Sequence, residues 1–134
     1  MGEVVSIFAD GRLHRQILDR IKALEPTSMN NCLFLRLTAT GDLHHEWLIN
    51  HVVYRFIVNG GERTLTGRCV RVQYWNNEKN NHYAGIEFRD PETGREEPLG
   101  EWETLEIVFI AGTEERSFTA TKNKGGAPEV KEIS

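Results

Sequence analysis

Asn59-Gly60-Gly61, set between two runs of β-forming residues, limits what this chain can fold into more than any other feature. Asn and Gly tolerate the positive φ that tight hairpin turns demand. EWLINHVVYRFIV is therefore predicted to run in as one long strand, and ERTLTGRCVRVQYW to return antiparallel to it. A tight turn also fixes register. Whether the turn pair is Asn59-Gly60 or Gly60-Gly61, even positions of the incoming strand fall opposite odd positions of the outgoing one. One face then carries Leu48, Val52, Tyr54, Phe56, Val58, Leu65, Gly67 and Cys69, apolar enough to be the core side. The other is mixed: Trp47, Ile49, His51, Val53, Arg55 and Ile57 lie with Thr64, Thr66, Arg68, Val70, Val72 and Tyr74.

On that mixed face Arg55 and Arg68 fall within one or two cross-strand steps of each other, with His51 on the same surface. Two guanidiniums held close repel unless something anionic lies between them, and the arginine fork matches carboxylate or phosphate geometry. Trp47 and Tyr74, at the far end of the face, are placed to stack on a base. The predicted ligand-binding set is thus Arg55, Arg68, His51, Trp47 and Tyr74. The competing reading is that Glu46, Glu62 or Glu87 neutralises the arginines and the aromatics cover the rim of the sheet.

The rest of the chain fits the same β-rich plan. Val4 to Phe8 is a short β-branched run. Asp10 then caps a helix predicted from Gly11 to Pro26, with Leu13, Ile17, Ile21 and Leu24 spaced by four, four and three. Pro26 stops it and TSMNN follows as a loop. CLFLRLTA, HYAGIEFRD, a short edge strand REEPL, TLEIVFIAG and RSFTAT read as further strands separated by turn residues. The expected fold is α+β: one N-terminal amphipathic helix packed on a six- or seven-stranded antiparallel meander, with an open sheet and a barrel both open. Residues 1–121 form the globular domain. Residues 122–134, charged and rich in Gly and Pro, form a flexible tail.

Composition narrows the function classes. With 39% hydrophobic and 27% charged residues the 134-residue chain is globular, and its net charge of -4 argues against a surface devoted to nucleic acid. No apolar run approaches the roughly 20 residues of a membrane helix, and the N-terminus has no basic and apolar leader pattern. Cys32 and Cys69 stand in apolar segments without a CxxC pair, as reduced thiols of a cytoplasmic protein do. The stretch GRCVRVQY followed by YAGIEF is similar to the later strands of PilZ cyclic-dinucleotide domains. Yet Arg15 and Arg20 stand five apart instead of four, and no Asp/Asn-x-Ser-x-x-Gly occurs, so no family is assigned.

No HExxH, GxSxG, Walker loop or GxGxxG is present. No catalytic residue, metal ligand or cofactor is assigned. The sequence therefore favours a small non-enzymatic binding protein, an adaptor or inhibitor acting through a protein partner. Second comes recognition of an anionic small molecule or nucleotide on the Arg55/Arg68 face. Third is a small metal-dependent hydrolase using the His44/His45 loop with Asp42. Homo-oligomerisation through a sheet edge is compatible with all three.

Overall fold

The computed structural model describes residues 11–29, 32–61, 63–74, 81–88 and 101–133. Helix α1 (Gly11–Asp19) leads into β1 (Ile21–Met29) and β2 (Cys32–Ala39). A short helix α2 (His45–Asn50) then precedes β3 (Val53–Val58), β4 (Arg63–Tyr74), β5 (Asn81–Phe88), β6 (Thr104–Ala111), β7 (Glu114–Thr121) and β8 (Glu129–Ile133). The eight described strands form one antiparallel sheet in the order β1-β2-β5-β4-β3-β6-β7-β8. The sheet curls nearly into a barrel, its terminal strands β1 and β8 approaching without a ladder between them.

The hairpin parity holds. Tyr54 pairs with Gly67 and Phe56 with Leu65, around a turn whose Asn59, Gly60 and Gly61 have φ of 51, 77 and 105°. Asn59 does more than turn the chain: its Oδ1 accepts hydrogen bonds from the amides of Glu103 (2.8 Å) and Thr104 (3.3 Å), tying the turn to the start of β6. Tyr54, Phe56 and Val58 point into a core that they share with Leu33, Leu35 and Leu37 of β2 and with Leu105, Ile107 and Phe109 of β6.

Four expectations are corrected. The helix ends at Asp19 instead of Pro26, and Ile21–Met29 is a strand. A bulge between Ile21 and Ala23 lets Ile21, Leu24 and Pro26 all be buried while Lys22 and Ala23 are exposed, so apolar spacing that suits a helix also suits a bulged strand paired along β2. Pro26 is tolerated because β1 ends the sheet. Second, the long incoming strand is broken: residues 45–50 are helical and only Val53–Val58 is strand. The first turn of that helix starts after His44, which adopts φ 55°, with the Asp42 carboxylate accepting from the His44 amide at 2.8 Å.

Third, the described residues form eight strands and no simple meander, since β5 returns beside β2 and β3 lies beside β6. Fourth, the expected tail contributes β8, paired with β7 from Thr121↔Glu129 to Ser117↔Ile133, and Val130 packs against the core. The strands expected at Val4 to Phe8 and at REEPL fall outside the described residues.

Arg116 of β7 draws the curled sheet together. Its Nη1 donates to the carbonyls of Leu18 (2.6 Å) and Ile21 (2.5 Å), while Nε and Nη2 donate to the two carboxylate oxygens of Glu132 on β8 at 2.8 and 3.0 Å. One guanidinium thus joins the end of α1, the start of β1 and the last strand.

Candidate functional site

The outward face of β3 and β4 keeps two of the five expected residues together. Arg55 pairs with Thr66 and Arg68 with Val53, which makes the two arginines diagonal neighbours about 7–8 Å apart along the backbone. Both side chains are exposed, and neither makes an ion pair or hydrogen bond among the described residues. Glu87 stands opposite Arg68 in the β5 register.

The other three are placed elsewhere. Trp47 lies on α2 with no exposed surface, and its indole nitrogen points into the molecule. His51 caps the C-terminus of the same helix, its amide donating to the Trp47 carbonyl at 2.9 Å. A helix has no two-residue alternation, so neither shares the face of Arg55. Tyr74 is the last residue of β4, opposite His82. It stands beyond a bulge between Cys69 and Arg71 that shifts the register by one residue. Val72 shows the result: expected on the mixed face, it packs against the core, paired with the buried Ala84.

The same bulge adds a residue that alternation hides. In a regular strand Arg68 and Arg71 would face opposite sides, being three apart. Here the extra residue, Val70, is accommodated between them, and Arg71 emerges exposed on the outer side with no ion pair or hydrogen bond among the described residues. Val70 itself is 54% exposed, the most exposed large apolar residue described. Beside it, Gly85 of β5 pairs with both Arg71 and Phe34. A Cβ on Gly85 would lie 3.2 Å from the Phe34 ring, so this half-buried aromatic lies across the glycine on the outer surface. The face therefore joins Arg55, Arg68, Arg71, Val70 and Phe34. A glycine inside the strand HYAGIEF was the available signal for Phe34, because such glycines mark close approaches.

Behind this face the core holds Cys69 and Tyr54. Burial pushes the Cys69 thiol up to about 11, and its Sγ donates to the Arg71 carbonyl at 3.3 Å. Burial also raises the Tyr54 phenol well above its ordinary value, with the neighbouring Cys69 adding to the shift, and the buried Tyr54 hydroxyl has no hydrogen-bond partner among the described residues. Both groups stay protonated at neutral pH, which makes neither a nucleophile.

At the His44/His45 loop, the Asp42 carboxylate lies 3.6 Å from His44 Nδ1, and both side chains are exposed. Among the described residues no group of three or more His, Cys, Asp or Glu is placed to hold a metal ion, and no helix is long and apolar enough to cross a membrane. No protein-family model, curated protein or solved structure matches this chain.

Proposed function

We propose that the chain is a non-enzymatic binding protein, an adaptor or inhibitor that docks an acidic protein surface on the face of Arg55, Arg68, Arg71, Val70 and Phe34. The observation that carries this reading is the bulge at Val70, which sets a second β4 arginine beside the first and exposes an aliphatic side chain between them. Bulges recur where a strand must re-aim a side chain for function. Arginines interspersed with an aromatic and an aliphatic residue match the composition of protein interfaces. Three exposed arginines gathered on one face of a chain of net charge -4 favour an acidic partner by steering.

The competing anion or nucleotide reading is weaker for a geometric reason. Small-molecule sites are concave, whereas these arginines stand on the outer side of a curled sheet. The loss of Trp47 to the core also removes an aromatic expected to hold a base.

The test compares wild type with the Arg68→Glu/Arg71→Glu double variant by quantitative affinity capture from cell extract, alongside urea melts and thermal shifts with nucleotides and inorganic phosphate. Exposed arginines with no ion pair or hydrogen bond among the described residues predict melts within about 0.5 kcal/mol of each other. The double variant is expected to lose at least about tenfold in captured partner, the equivalent of about 1.4 kcal/mol. A nucleotide that stabilises wild type by about 2.7 kcal/mol when present at about 100 times its Kd, but not the variant, would replace the protein partner with a small anion.

A further inference from the structure

The two helices meet in a side-chain contact whose chemistry depends on a proton. His14 of α1 is 4% exposed, and its Nδ1 lies 2.8 Å from the indole nitrogen of Trp47, a side chain with no exposed surface. An indole N–H only donates, so Nδ1 must present its lone pair. His14 is therefore neutral in this geometry. The ring is hemmed in on two further sides. The His51 ring, at the end of α2, has its centroid 6.1 Å away, and a Cβ on Gly112 in the β6–β7 turn would lie 3.3 Å from His14 Cδ2.

We propose that the Trp47–His14 contact is an acid-released latch that holds α2 against α1, independent of whether the arginine face binds a partner. A proton added at Nδ1 sets donor against donor at 2.8 Å, leaves the buried indole N–H unmatched and places a positive charge next to His51. Histidine is the side chain whose charge changes most readily on mild acidification, and acid is therefore the trigger to apply. Among the described residues, the charged and titratable groups carried by the elements packed around His14 are Arg12, Arg15 and Asp19 on α1, Lys22 and Glu25 on β1, His44, His45, Glu46 and His51 on and beside α2, Glu106 on β6, and Glu114, Glu115 and Arg116 on β7. Arg15 is engaged with Asp19 at 2.8 Å and with the Glu115 carbonyl at 3.1 Å, which leaves it beside the latch without closing it.

The experiment is a pH series from 7.5 to 5 on the full chain, reading the Trp47 indole N–H resonance, assigned with Trp47→Phe, and amide exchange across residues 45–50. The latch predicts a sigmoidal shift of that resonance. It also predicts exchange in α2 about tenfold faster at the acid end, after correction for intrinsic rates, as expected for one lost buried hydrogen bond. His14→Gln keeps an acceptor and cannot titrate in this range, so both responses should flatten. An unchanged pH response in folded His14→Gln overturns the proposal. If that variant does not fold, the imidazole nitrogen shifts of wild type decide, because a His14 that stays neutral while α2 loosens, or a Trp47 signal flat to pH 5, overturns it equally.

Discussion

Arg116 and Glu132 meet through two parallel hydrogen bonds, 2.8 and 3.0 Å long, and the arginine of that pair is far more enclosed than the carboxylate, with side-chain exposures of 13% and 48%. This asymmetry decides what each residue contributes. Arg116→Met leaves the Leu18 and Ile21 carbonyls without their donor, so a loss of about 2–4 kcal/mol is expected in urea melts. Glu132→Gln should cost less than about 1 kcal/mol, since its carboxylate is half in water. The hydrogen bonds and charge of Arg116 hold the Glu132 carboxyl below the ordinary glutamate range. A depressed carboxyl stabilises the fold above its unfolded value and loses that contribution as pH falls through the folded value, so the gap between wild type and Glu132→Gln should shrink as the solution is acidified below about pH 4. A gap that widens instead would mean that Arg116 does not hold the carboxylate.

Removing residues 122–134 should destabilise the protein. Truncation after Thr121 deletes β8, exposes the β7 edge and strips Val130 from the core. A melting temperature lower by at least about 4 °C, the equivalent of about 1 kcal/mol, is expected by calorimetry. An unchanged melting temperature would show that β8 contributes nothing to the fold in solution.

Tyr54→Phe should be neutral or stabilising by up to about 1 kcal/mol. The ring contacts survive, stacked on Phe56 and edge-on to Phe109, while a hydroxyl with no partner among the described residues leaves the core. A loss above 1 kcal/mol in denaturant melts would place an ordered water on the Tyr54 hydroxyl.

The hairpin was readable because Asn59-Gly60-Gly61 is a local instruction: positive φ at three successive residues fixes the turn, and the turn fixes which side chains share a face. The core positions of β2 followed from alternation alone, since Leu33, Leu35 and Leu37 are all fully buried. The misreadings have a common cause. Ile21–Met29 and His45–Asn50 are short segments whose apolar residues satisfy either period, and tertiary pairing chose between them. Trp47 illustrates the consequence for the site: as a strand residue it would lie at the far end of the face that carries Arg55, and as a helix residue it turns inward to His14. The bulge at Val70 was equally silent, because one inserted residue leaves no mark on composition or periodicity until the neighbouring strand is in place. Arg55 and Arg68, set by the local turn before that bulge, were the part of the candidate face that sequence alone could reach.

The strand order also bears on how the chain reaches this structure. β1–β2, β3–β4–β5 and β6–β7–β8 are runs of sequence neighbours paired in order, and only the β2–β5 and β3–β6 seams join distant parts of the chain. Leu35 must find Ala84, and Phe56 must find Ile107, across about fifty residues in each case. Hairpins of the first kind form in microseconds, whereas closing seams of the second kind places β-rich domains in the millisecond-to-second range. Substitutions that weaken either seam should therefore slow refolding, while those confined to β8 should mainly speed unfolding.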